Sequence, residues 1–348
     1  MDRELARILD ANFNRAREGL RVAEEFARFV VQDRRLTEAA KGFRHELADA
    51  ARTIDPDGEL LGARDTAGDL GTTLATPGES ARGSPGEVAT TAAKRVGEAL
   101  RVLCEYAKVI DPVTAGRLDQ LRYRFYDWER SLAGAADRRR FERVRLYLLL
   151  TAGYCRDGDW RSAAESAIAG GVDAIQLREK DLGDGEFLDR AAWLAARCRD
   201  AGVLCVINDR ADVARLVDAD GVHVGRWDLP VPAARRIVKV SQFVGTSTHN
   251  PDELAAAITA GADYVAIGPM FASATKPAYR VAGPAYAADA IDRLDAAGIP
   301  HVAVGGITAE NVGELLAVGV RRIAVCQAIL RADDVAAATR ALKSRLPS

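Results

Sequence analysis

The sequence predicts an α/β protein: a C-terminal (β/α)8 TIM barrel preceded by an all-α N-terminal domain with an internal repeat. Three observations carry this. From about residue 145 onward, eight short β-rich runs alternate with spacers of helical length. Before that, residues 1 to about 132 keep apolar side chains at three- and four-residue spacing, the period of a packed helix. One helical segment of this first half also recurs at a constant offset.

The repeat sets NRAREGLRVAEEFARF, from Asn14, against KRVGEALRVLCEYAKV, from Lys94, at an offset of 80. Arg15 meets Arg95, Glu18 meets Glu98, Leu20 meets Leu100 and Arg21 meets Arg101. A weaker match places Phe43-Arg44 against Leu121-Arg122. Two related helical hairpins about a pseudo-twofold axis account for this pattern. An irregular stretch from about Asp55 to Glu87 interrupts the helices, and its TPGESARGSPGE has the composition of a mobile loop. The polar, charged GAADRRRFER then reads as a linker. The expected division is a helical domain over 1–132, a linker over 133–143 and a barrel over 144–348.

The eight runs are RLYLLLT, AIQLRE, LCVIND, GVHV, FVGTST, YVAIGP, HVAVGG and RIAVC. A formal net charge of −2 argues against a general nucleic-acid binder, which shows a basic excess. No apolar run reaches the ~18 residues of a membrane helix, and the opening MDRELARILD is charged, unlike a signal peptide. The five cysteines form no CxxC pair and the four histidines have no ligand spacing. The cysteines read as reduced thiols of a cytoplasmic protein, and neither set reads as a zinc site.

In a parallel barrel the chemistry sits where strands end. The second run ends in Gln176-Leu177-Arg178-Glu179-Lys180, and alternation puts Gln176, Arg178 and Lys180 on one side, facing a polyanion or forming a surface ion-pair cluster. The third ends in Asn208-Asp209, and Asp228 follows the fourth. The two carboxylates could share one Mg2+, although Asp209 alone also suits a helix cap before ADVARLV. The fifth run supplies Ser247. The sixth leads into GPMFASATKP with Ser273, Thr275 and Lys276, a loop long enough to fold over a ligand or an ordinary polar loop. Gly305-Gly306 and Cys326-Gln327 end the last two runs, a recurrent barrel position for phosphate on backbone N–H groups. The residues thus point to one phosphate site, one cationic cluster and one candidate metal site.

The ordered set QLREK, VINDR, DGVHVGRWDLP, GTSTHNPDEL, GPMFASATK and VAVGGI resembles the thiamine phosphate synthases, over about 145–346. The resemblance implies a transferase that joins hydroxymethylpyrimidine diphosphate to thiazole phosphate, or its carboxylated form, with release of pyrophosphate. It implies that Gln176, Arg178, Lys180 and Asn208 bind the diphosphate substrate and that Asp209 and Asp228 hold Mg2+. Ser247 would hydrogen-bond the pyrimidine and Lys276 would contact the diphosphate. Ser273, Thr275, Gly305, Gly306 and the Cys326-Gln327 backbone would serve the thiazole phosphate. The resemblance further implies a dissociative reaction in which Arg178, Lys180 and Lys276 would carry the catalytic load, stabilising the departing pyrophosphate. The sequence departs from the family at Ser273, usually Thr; at Arg226-Trp227, usually Gln-Glu or similar; and at Gln327, often Ser. The alternatives are a thiazole tautomerase-like relative or a silent thiazole-phosphate-binding regulatory module.

NRAREGLRVAEEFARFV, FRHEL, RDTAGDLGT and EALRVLCEYAK are similar to a small helical family found fused to these synthases and associated with phosphorylating hydroxymethylpyrimidine phosphate. This implies ATP as a co-substrate. Arg15, Arg21, Arg95 and Arg101 are then candidates for phosphate contacts, with Arg64, Asp65 and Asp69 candidates for nucleotide or Mg2+. The bland alternative for this half is ion pairs over a packed face, serving only to form a homodimer.

Overall fold

The computed structural model describes residues 1–65, 82–239, 241–272 and 281–347, apart from the side chains of 137–139. The chain divides into two compact units, Met1–Ala136 and Asp137–Ser348.

The first unit is helical. Helix α1 (Arg3–Glu25) starts on Asp2, whose side chain accepts from the Leu5 N–H, and runs on into a π-helical turn over Phe26–Val31. Helix α2 (Arg34–Ile54) starts on Asp33 in the same way; α3 (Glu59–Gly62) is one turn, and α4 (Pro85–Ala107) is capped by Ser84 with Pro85 in its first turn. Helix α5 runs over Pro112–Glu142. The repeated segments lie on α1 and α4, which pack along one another. Gly19 permits this, because a Cβ there would stand 2.6 Å from Val96 Cγ2 and 2.9 Å from the Ala92 carbonyl. The repeat also recurs in the core, where Ala16, Leu20, Ala23 and Ala27 match the buried Val96, Leu100, Leu103 and Ala107.

The stretch 133–143, read as a linker, is helical through Glu142. Its Ala, Arg and Glu content favours helix, and the single Gly134 costs only about 1 kcal/mol without a second breaker beside it. The first half of the expected loop TPGESARGSPGE, residues 76–81, lies outside the described residues, and its end from Pro85 belongs to α4.

In the second unit, strands β1 (Leu146–Leu150), β2 (Ala174–Leu177), β3 (Leu204–Asn208), β4 (Gly221–Val224), β5 (Phe243–Thr248), β6 (Tyr264–Ile267), β7 (His301–Val304) and β8 (Ile323–Val325) close a parallel barrel in sequence order. All eight fall inside the runs read from the sequence. Helices over Trp160–Ala169, Asp184–Ala201, Ala211–Leu216, Val231–Ile237, Pro251–Thr259, Gly283–Ala297, Val312–Ala317, Gln327–Leu330 and Val335–Lys343 follow the strands. The barrel interior is closed at its base by Phe141, Tyr147, Phe243 and Tyr264. Glycine opposite two of these rings makes the fit: a Cβ on Gly221 would lie 2.2 Å from Phe243, and one on Gly245 would lie 2.0 Å from Tyr264. This layer is the floor on which the site rests. The described cysteines are all free thiols, and no helix among the described residues is long and apolar enough to cross a membrane.

His301 opens β7 at 2 % exposure, and neither of its ring nitrogens has a hydrogen-bond partner among the described residues. Burial, then the nearby Arg322 and Arg321 charges, pull its pKa down to about 4. The folded chain therefore holds it neutral where the unfolded chain, at an ordinary ~6.5, takes up a proton. Its contribution is complete above pH ~6.5 and is lost as pH falls toward the folded value, an expected loss of about 3 kcal/mol. Urea unfolding across that window should show a steeper acid loss in the wild type than in His301→Leu. Parallel curves would contradict it.

Candidate active site

At the C-terminal mouth of the barrel lies a cavity of about 330 Å3. Gln176, Asn208, His223 and Ser247 line it from strands β2 to β5, while Arg178, Lys180, Asp209 and Asp228 stand just beyond strand ends. Gly305, Gly306, Cys326 and Gln327 line its other side.

The carboxylate end is built by backbone geometry. Asp209 follows β3 with φ at +62°, a left-handed conformation that Asp tolerates better than most residues, and its N–H donates to the His223 carbonyl at 2.8 Å. The next helix has no side-chain cap at its start, so the capping role open to Asp209 is not used. Its carboxylate is free for the mouth, where it pairs with Lys180 Nζ and lies in hydrogen-bonding contact with Asp228. Burial, then the Asp228 carboxyl, raises the pKa of Asp209, with Lys180 opposing. Asp228 is also partly buried, but the hydrogen bond from Asp209 and the Gly225 N–H at 2.9 Å outweigh that and hold it below the ordinary value. Two carboxyls in one place cannot both carry full charge cheaply, so they share a proton or a cation. Hard oxygen donors in adjacent positions suit Mg2+. Among the described residues no third acidic, His or Cys side chain joins them, so the rest of an octahedral shell falls to water and substrate oxygens.

Two buried groups prepare the cavity wall. Asn208 is 7 % exposed and its Nδ2 has no partner among the described residues, a donor that a bound acceptor would satisfy. Gln176 is buried and donates from Nε2 to the Tyr147 hydroxyl at 2.9 Å.

The glycine end is shaped by close approach. Gly305 and Gly306 have φ of +103° and +65°. A Cβ at Gly305 would lie 2.6 Å from Pro269 Cβ, and one at Gly306 would lie 2.5 Å from the Ala272 carbonyl. Asn311 braces the turn, donating to the Gly306 carbonyl and accepting from the Thr308 N–H, each at 2.8 Å. Burial pushes the nearby Cys326 thiol up to about 12 against the Arg178 charge, so it stays protonated and is no nucleophile.

Comparison with known proteins decides between readings of such a mouth. The profile of the thiamine monophosphate synthase family matches residues 146–329, and that of the ThiD2 family matches residues 7–131. Thiamine-phosphate synthase from Synechocystis sp. is 40% identical over 342 residues, covering 98% of this chain and 96% of its own. That from Thermosynechococcus vestitus is 41% identical over 345 residues, covering 98% and 95%.

This chain belongs to the thiamine-phosphate synthase family.

A solved structure, thiamine phosphate pyrophosphorylase from Pyrococcus furiosus, matches with a TM-score of 0.53 at 32% identity, covering 58% of this chain and 94% of that one. Of the synthase residues expected from sequence, the structure gathers Gln176, Arg178, Lys180, Asn208, Asp209, Asp228, Ser247, Gly305, Gly306, Cys326 and Gln327 around one cavity. Ser273, Thr275 and Lys276 lie outside the described residues, as does Asp69. The surface-cluster reading of QLREK does not hold, because Gln176 is buried and the three alternate side chains all reach the cavity. Sequence reading of this synthase missed His223. It lies one residue before the end of the GVHV run, and period-two alternation with Gly221 and Gly245 inward was the available signal.

In the ThiD2-matching half, Arg64 forms a two-pronged pair with Asp10 at 2.7 and 2.8 Å, and Asp65 stands 4.0 Å from Arg7. Arg15, Arg21, Arg95 and Arg101 are exposed, and Arg101 pairs with Glu105 at 3.3 Å.

Proposed function

We propose that the barrel condenses hydroxymethylpyrimidine diphosphate with thiazole phosphate to thiamine phosphate and pyrophosphate, and that the helical half makes the diphosphate from the monophosphate and ATP. The observation that carries the synthase reading is the division of one cavity into a cation-and-carboxylate end and a glycine end, as two phosphorylated substrates require. Asp209 and Asp228 would hold Mg2+, which when bound offsets charge on the diphosphate oxygens. Arg178 and Lys180 bind the same oxygens and stabilise the charge that grows as the methylene C–O bond breaks. Lys276 is assigned beside them on the family resemblance. Gln176, Asn208 and Ser247 hold the pyrimidine, and its ring electrons support the methylene cation until the thiazole nitrogen forms the new C–N bond. Gly305, Gly306 and the Cys326-Gln327 backbone, with Ser273 and Thr275, receive the thiazole phosphate. A thiazole-only tautomerase or a silent binder has no need of the carboxylate pair and the cations together.

The kinase reading rests on the ThiD2 match, with Arg64 and Asp65 as candidates for nucleotide contacts. A homodimer through the helical half is supported by exposed Phe29, Val30, Val109 and Val113, and sedimentation tests it. To test the division of labour, the whole chain is given hydroxymethylpyrimidine phosphate, thiazole phosphate, ATP and Mg2+, and in parallel the ready-made diphosphate without ATP. Thiamine phosphate in both is expected. Product only from the diphosphate would remove the kinase and leave the synthase.

A further inference from the structure

Beneath the cavity runs an unbroken file of hydrogen bonds linking five strands. Gln176 Nε2 donates to the Tyr147 hydroxyl at 2.9 Å, the Tyr147 and Tyr264 hydroxyls meet at 3.2 Å, and the Tyr264 hydroxyl meets His223 Nδ1 at 2.8 Å. His223 Nε2 then meets Ser247 Oγ at 2.8 Å, at the cavity wall. Gln176, Tyr147, Tyr264 and His223 are all at least nine-tenths buried, so exchange with water does not scramble the file. The rings are fixed mechanically as well. Phe141 stacks on Tyr264 at 4.0 Å and 18°, and Gly245 leaves the space the Tyr264 ring fills.

The file has a direction. An amide nitrogen only donates, so Tyr147 accepts from Gln176 and spends its single proton on Tyr264. Tyr264, having accepted, gives its proton to His223 Nδ1. A neutral imidazole that accepts at Nδ1 carries its proton on Nε2, which donates to Ser247 Oγ. The hydroxyl proton of Ser247 is left over for the cavity. Burial keeps both phenols protonated by pushing their pKa values upward, which the file requires.

We infer that His223 is a positioning residue, holding Ser247 as a hydrogen-bond donor to a ring nitrogen of the bound pyrimidine, with the direction set across the barrel by the Gln176 amide. The specificity that follows is for a ring offering a lone pair at that point. An analogue with C–H in place of that nitrogen leaves the donor unanswered and is rejected. The identity of the ring rests on the synthase reading, whereas the direction of the file does not.

The first test is therefore made on the free protein. Side-chain 15N NMR, at a pH well above the ordinary histidine value of ~6.5, reads the tautomer of His223, assigned by the signal lost in His223→Gln. The Nε2–H form is expected; the Nδ1–H form would overturn the inference whatever the enzyme's substrate. The second is a double-mutant cycle read in kcat/KM for the pyrimidine diphosphate. Tyr264→Phe and Ser247→Ala should each lower it by about tenfold, the scale of one lost hydrogen bond. The double variant should be no worse than Ser247→Ala, because Tyr264 acts through Ser247. Multiplying losses would mean that Tyr264 only supports the fold, and would overturn the inference. Tyr147→Phe serves in the same cycle if Tyr264→Phe does not fold. A wild type with the Nε2–H tautomer but no turnover would count against the synthase reading and leave the file intact.

Discussion

Asp209→Asn is expected to lower kcat/KM of the condensation by about 10²–10³ while leaving the fold in place. The substitution keeps the shape of the side chain and removes the charge. In the absence of substrate that charge is a burden on the fold: Asp209 is partly buried, its pKa is raised by burial and by Asp228, and Lys180 only partly offsets this. Loss of the half-exposed Lys180 pair costs at most about 1 kcal/mol, so thermal unfolding should shift by a few degrees at most, in either direction. With substrate the balance reverses. One carboxylate alone holds a divalent cation poorly, and the departing pyrophosphate loses its counter-charge. Turnover and thermal unfolding of the purified variant check this, together with the Mg2+ concentration for half-maximal rate, which should rise. Wild-type turnover with unchanged Mg2+ dependence would remove Asp209 from the site.

Gly306→Ala is expected to cut kcat/KM for thiazole phosphate by about 10², the scale of a group misplaced by about 1 Å. Two causes add. At φ +65° any side chain meets a left-handed penalty of about 1–2 kcal/mol, and here the new Cβ would also stand 2.5 Å from the Ala272 carbonyl and 2.9 Å from Phe271 Cβ. Backbone on both sides must move, and with it the turn that Asn311 braces. Saturation with each substrate in turn separates this from general damage. KM for thiazole phosphate should rise and KM for the pyrimidine diphosphate should hold. An equal rise in both would mean that Gly306 supports the whole mouth rather than one phosphate.

The barrel was legible because its strands are short, apolar and separated by regular spacers, and because polar residues stop them at one rim. Asp209 and Asp228 could be paired from sequence since each closes or follows a neighbouring strand. What sequence could not supply was depth. Gln176 and Arg178 alternate in QLREK with equal claim to the cavity, yet only Gln176 is buried and part of the floor. His223 and the tyrosines were hidden for the same reason: alternation says which side chains point inward, but only packing against Phe141 and Gly245 shows that they form one file. The run at 133–143 misled in the opposite way. Charge density there resembles a linker, whereas Ala, Arg and Glu without a cluster of breakers continue α5 to Glu142.

The central claim is tested most directly by counting products. The whole chain is supplied with hydroxymethylpyrimidine diphosphate, thiazole phosphate and Mg2+, and pyrophosphate and thiamine phosphate are followed together. Equal amounts of the two, with neither formed when thiazole phosphate is withheld or Mg2+ is chelated, is the expected result. Steady pyrophosphate release without the thiazole, or no thiamine phosphate from folded protein, would contradict the account.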